Sequence, residues 1–115
     1  MKFSVLVAIV AEDLEEKAIK SAKAAGAGGI TILNARGLGA EQKKTFFGLT
    51  YEGSQSVLIL VLEKKLSLQV MKCLMRDLDL NHDSRGVVFT LPLEHIAGID
   101  PSQIEQFEQI IKDNI

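Results

Sequence analysis

Two stretches of the chain, FSVLVAIV at 3–10 and SVLILVL at 56–62, are apolar at nearly every position. Runs this short and this rich in β-branched and aliphatic residues form strands, because a helix needs ten or more residues to bury a stripe. Successive side chains of a strand point to opposite faces of its sheet. An antiparallel strand with one wet face alternates apolar and polar residues, and these strands do not. The fold must therefore cover both sides of the sheet that holds them.

The segments around them have helical or extended spacing. In AEDLEEKAIKSAKAAGAGG, Leu14, Ala18, Ala22 and Ala25 share one face, small enough for a helix to sit close to a sheet, and Gly26 ends it. Asp13/Lys17 and Glu16/Lys20 are i,i+4 pairs that support a solvated face, so this charge run offers no acid–base pair. Leu68, Met71, Leu74, Met75 and Leu78 form the stripe expected of a second helix, the methionines as core filler, with Lys72, Arg76 and Asp79 pointing elsewhere. GITILNAR and, after the polar turn NHDSRG, GVVFTLPL supply two more strands, the latter ending near Pro92. Asp100 can cap a helix that starts at Pro101 and aligns Ile104, Phe107, Ile110 and Ile111.

The order strand, helix, strand, strand, helix, strand is the split βαβ arrangement. The expected fold class is thus α+β: a ferredoxin-like βαββαβ sandwich with an extra C-terminal helix, one domain spanning 1–115. Right-handed crossovers put both main helices on the same side of the sheet. The other side is left bare. The last helix or another copy of the chain must cover it, and a sheet-lined oligomer core is the more economical cover for strands like these.

A net charge of −2, no basic stripe, one Tyr and no Trp argue against a nucleic-acid partner. Cys73 is the only cysteine, which removes an internal disulfide framework and any CxxC motif and suits a reducing cytoplasm. The opening MKFSVLVAIVAEDLEE has the outline of a signal peptide, but its positive region is minimal and its apolar run leads straight into an amphipathic helix. It is expected to be a strand. No apolar stretch approaches the length of about 20 residues that a membrane span needs, so direct membrane insertion is not expected.

The connection NARGLGAEQKKTFFGLTYEG, at 34–53, is far too long for a hairpin turn, and long structureless connections are commonly binding loops. Gly37-Leu38-Gly39 follows a strand, where exposed amides can cradle phosphate oxygens. Gln42 stands where a dinucleotide fingerprint needs a third glycine, and no Gly-Lys-Ser/Thr follows. Lys43 and Lys44 precede Phe46 and Phe47, cations beside an apolar pair, which suits docking to a protein; the alternative is that the two Phe fold back to seal the core.

Together, GGITILNARGLG, VLILVL and DSRGVVFTLPLEH resemble the PII signal-transduction family: its second strand and the start of its T-loop, its third strand, and its B-loop with the fourth strand. The resemblance covers nearly the whole chain, with the long loop several residues shorter than usual. It implies a homotrimer with sheets packed around a central axis and an adenine nucleotide as effector in clefts between subunits. It also implies a regulator of nitrogen metabolism, not an enzyme, that acts on an enzyme, transporter or regulator through the loop 37–53. Residue by residue, it carries the nucleotide site onto Thr31, Gly37, Leu38 and Gly39 on one side and Val61, Ser84, Arg85, Gly86 and Val87 along the rest. The departures lie in the cations. Ala40 and Glu41 stand where the family has Arg then Gln, Val87 where it has a lysine, and Gly98 and Asp100 where it has two arginines. Each charge-assisted bond so removed is worth about 1.5–3 kcal/mol, and Arg36 and Arg85 are the cations left nearby.

Two alternatives share the fold. One is a metal-binding trimer of the CutA type, with His82, Asp83, Cys73 and His95 as candidates, although they follow no recognised ligand spacing. The other is a docking module that has lost nucleotide binding. An enzyme would need a nucleophile with a base or paired carboxylates; Ser84 with His82 is too local, and Arg36 with Asn34 has the wrong loop around it for acylphosphatase-like chemistry.

Overall fold

A computed structural model of the chain describes residues 1–36, 45–46, 49–50, 54–82 and 85–114. Strand β1 (Phe3–Ala11) runs through a 3₁₀ turn (Glu12–Leu14) into helix α1 (Glu15–Ala24), and β2 (Thr31–Ala35) follows. A two-residue ladder, β3 (Thr45–Phe46) with β4 (Leu49–Thr50), stands within the long connection. Next come β5 (Gln55–Glu63), α2 (Lys64–Asp77), β6 (Gly86–Pro92) and α3 (Pro101–Asn114). The main sheet has the order β2-β5-β1-β6 with every neighbour antiparallel. This is the ferredoxin-like fold expected from the order of elements, with α3 added.

Register decides which side chains share a face. Leu6 lies opposite Leu60 and Ala8 opposite Leu58, and these residues, with Val10 and Leu62, are at most 1% exposed. They form the core with Ala18 and Ala22 of α1 and Leu66, Val70 and Leu74 of α2. Alanines on α1 let its backbone approach the sheet, as the small-residue stripe predicts.

The stripe on α2 keeps Leu74 and Leu78 of the sequence expectation but differs from it in the first half of the helix. Leu66, Val70, Leu74 and Leu78 are buried at i,i+4 spacing, whereas Leu68 is 43% exposed. Glu63 is the cause: its Oε2 accepts from the backbone N–H of Lys65 (2.7 Å) and of Leu66 (3.2 Å), so the helix starts directly at the end of β5 and turns the Leu66 row onto the sheet. Met71 packs at the margin of the core.

The second face of the sheet stays largely open. Phe3, Val5, Val7 and Ile9 of β1 point to it and are half-buried, while Val61, Phe89 and Leu91 are 42%, 36% and 51% exposed. Helix α3 reaches only one corner of it. Asp100 caps that helix by accepting from the Ser102 backbone N–H at 2.8 Å, and Gln103 returns the bond by accepting from the Asp100 N–H at 3.1 Å. Phe107 then meets Phe3 edge-on with ring centres 5.9 Å apart, and Ile110 rests on Gly26. Gly26 has φ +115°, and a Cβ there would lie 2.9 Å from Ile110, so glycine serves both the helix stop and the close approach of α3.

Candidate functional site

Strand β2 begins at Thr31, opposite Ile59, so among the described residues β5 has no strand partner on that side from Leu60 onward. Helix α3 stands beside this notch. Between them is a cavity of about 450 Å³, lined by Gly28, Gly29, Thr31, Ile59 and Val61 on the sheet side and by Gln103, Gln106 and Phe107 on the helix side. Among the described residues its lining holds no charged side chain. Its volume is that of a small-molecule pocket, and its apolar floor with a few neutral polar groups suits a planar, uncharged, hydrogen-bonding group. Thr31 and Val61, two of the residues carried over by resemblance, meet here.

The remaining described candidates lie at one end of the sheet. Ala35, Gln55 and Ala11 are aligned there by register, the Ala11 N–H donates to the Arg85 carbonyl at 3.0 Å, and the Glu12 N–H to the Ser54 carbonyl at 3.2 Å. Arg36 follows β2 and is exposed; Arg85 precedes β6 on the opposite edge. Three strand spacings separate those edges, about 14 Å. In one chain the two arginines therefore do not converge, and neither do Thr31 and Val61 with Gly86 and Val87.

Arg85 already has an anionic neighbour. Its Nη2 donates to Asp13 Oδ1 in the 3₁₀ turn before α1, and this hydrogen bond holds the Asp13 carboxyl below the ordinary carboxylate range. Beside it, Ser56 Oγ donates to Glu15 Oε1 at 2.8 Å. Asp13 thus offsets the charge of Arg85 at this end of the sheet. Gly86 is required by close approach: a Cβ would lie 2.8 Å from Leu80 and 2.9 Å from Val10. Val87 lies opposite Ile9 on the open face. Gly37, Leu38, Gly39, Lys43, Lys44, Phe47 and Ser84 lie outside the described residues, and Phe46 is described only as a backbone position in β3.

The metal candidates do not gather. His82 Nδ1 is 2.7 Å from Asp79 Oδ1 in an exposed turn, His95 is exposed beside Glu94, and Cys73 is buried in α2; Asp83 lies outside the described residues. Among the described residues no group of three or more His, Cys, Asp or Glu could hold a metal ion, and no helix is long and apolar enough to cross a membrane.

Asp13, Glu15, Gln103 and Gln106 join these two regions without having been singled out in the sequence. Asp13 is accounted for there by helix-surface pairing with Lys17, which hides its contact across the fold, and Glu15 stands only in the acidic run beside it. The glutamines recur at 103, 106 and 109, a helical period that the apolar stripe of α3 overshadows.

A ferredoxin-like sheet with a long connection after its second strand is the arrangement that the resemblance to PII signal-transduction proteins implies. The family model described as "Nitrogen regulatory protein P-II" matches residues 3–103, and the chain belongs to that family. No curated protein matches it by sequence. Among solved structures it is similar to a PII-like signaling protein from Thermus thermophilus, at 18% identity over 81% of this chain and 88% of that one, TM-score 0.61. It is also similar to the GlnK–ATP complex of B. subtilis (16% identity, 81% and 85% covered, TM-score 0.62) and to CPII bound to ADP and bicarbonate from Thiomonas intermedia (20% identity, 81% and 87% covered, TM-score 0.62). At these identities the likeness is one of fold.

Proposed function

We propose that the chain is a trimeric regulator that takes an adenine nucleotide in clefts between neighbouring copies and acts on a partner protein through the connection 37–53. The observation that carries this is the division of the site. Thr31, Val61 and the neutral pocket lie on the β2–β5 edge, and Arg85, Gly86 and Val87 lie on the β6 edge, so the two halves face each other only when the edge of one copy meets the opposite edge of the next. The exposed Val61, Phe89 and Leu91 supply an apolar face for such an assembly. In this arrangement the base rests against Thr31 and Val61, and the phosphates run toward Arg36, meeting a neighbour's Arg85 and Gly86. Neutral pocket and separate cations suit the two ends of a nucleotide.

The regulatory role and the choice of adenine nucleotide are supported by the family and by neighbours whose structures hold ATP or ADP. Docking to a protein partner through Lys43, Lys44, Phe46 and Phe47 rests on their sequence alone. Light scattering after size exclusion, followed by thermal shift with ATP, ADP and AMP, tests this function. A trimer mass is expected, and a bound nucleotide at 100 times its dissociation constant should add about 2.7 kcal/mol of stability. A monomer at micromolar concentration would remove the cleft. A trimer that no nucleotide stabilises would favour the docking module without an effector.

A further inference from the structure

We propose that α3 is the base-reading wall of this site, with Gln103 and Gln106 as the residues that determine which base is accepted; the inference rests on the nucleotide site proposed above. These glutamines stand one helical turn apart and both line the cavity that holds Thr31, Ile59, Val61 and Phe107. The two side chains are not equivalent. The Gln103 carbonyl oxygen already accepts from the Asp100 N–H in the helix cap, so its NH₂ group is left as a donor. Gln106 keeps both its carbonyl and its NH₂ for a ligand, with no hydrogen-bond partner among the described residues. Together with the Thr31 hydroxyl they present a donor, a donor–acceptor pair and a hydroxyl around an apolar floor. That set matches the edge of a purine carrying adjacent donor and acceptor atoms, and it holds no cation for a phosphate.

The position of the wall is fixed by packing, not by the ligand. Phe107 against Phe3 and Ile110 against Gly26 hold α3 beside the notch, and the Asp100–Gln103 cap fixes where its first turn begins. The cavity of about 450 Å³ exists with α3 in place, so a base can enter without displacing the helix. A site that hydrogen-bonds a base edge rejects a base whose groups leave those amides unpaired.

The test is calorimetry on the full-length protein with adenosine, ATP and GTP, comparing wild type with Gln106→Leu and Gly28→Leu. Gly28 has nothing within 4 Å of an added Cβ, so a leucine there can occupy the cavity mouth without strain in the core. Wild type is expected to prefer the adenine ligands. Gln106→Leu should lower adenine affinity about fivefold, the scale of one neutral hydrogen bond, and shrink the preference over GTP by a similar factor. Gly28→Leu should weaken adenosine and both nucleotides together, and neither variant should change the assembly mass or the unliganded melting temperature. If ATP binds and Gln106→Leu leaves affinity and preference unchanged, α3 does not read the base, although the nucleotide site stands. Equal loss for adenine and guanine ligands in Gln106→Leu would likewise overturn a reading role. If wild type binds none of the three ligands, the nucleotide site itself fails and this inference fails with it.

Discussion

The two faces of the sheet are built from almost the same side chains and end in opposite states. On one, Leu6, Leu58, Leu60 and Leu62 are sealed beneath α1 and α2; on the other, Val5, Val7 and Ile9 are half-covered and Val61, Phe89 and Leu91 exposed. Apolar character alone therefore does not say which face a chain covers for itself. Two crossovers of the same hand place both helices on one side, and the third helix is spent on a corner, where it walls a pocket. What is left over is an open apolar surface, which the proposed assembly would cover, and the candidate site residues are divided between its edges in the same way.

The sharpest test of this contrast compares neighbouring residues that point in opposite directions. Leu60→Ala, on the sealed face, should cost about 2–5 kcal/mol in chemical denaturation, through lost burial and the cavity left behind. Val61→Ala should cost well under half of that. Equal costs would mean that the second face is as tightly packed within the chain as the first. A charge on the open face acts on assembly: Leu91→Glu should reduce the trimer mass to that of a monomer in light scattering while helical circular dichroism is retained. Retention of full mass would show that the copies meet elsewhere.

The division between edges gives two smaller effects. Arg85→Ala should weaken an anionic adenine ligand by about 1.5–3 kcal/mol in calorimetry with assembly unchanged, and Asp13→Asn should tighten it, because the carboxylate competes with the ligand for the same guanidinium. Unchanged affinity in both variants would remove Arg85 from the site. The least effect is on stability against pH. The hydrogen bond from Arg85 holds the Asp13 carboxyl below its ordinary value of 3.8, so the contribution of the pair is present above that value and is lost as pH falls through the depressed one. Both groups are solvent-exposed enough to be screened, which limits the contribution to about 0.2–1 kcal/mol. It should appear as a steeper acid loss in wild type than in Asp13→Asn, and parallel curves would mean that the pair adds nothing.

The sequence by itself determined the order and type of the main elements, the cap at Asp100, the α1 stripe and the two-sided apolar strands, because each is written in a local period or in one residue's own chemistry. It also named Thr31 and Val61 as candidates, through their place in strands that resemble a family, and both line the cavity beside α3. Only the tertiary structure decided that Leu66 and Val70 join Leu74 and Leu78 in the core while Leu68 stays outside it, since that depends on where Glu63 starts the helix. Only it paired Arg85 with Asp13 across 72 positions and Ser56 with Glu15 across 41, and only it brought Gln103 and Gln106 to the cavity at Thr31. Contacts between distant residues follow strand register and helix placement, where a slip of one residue exchanges the two faces, and no local period records that choice.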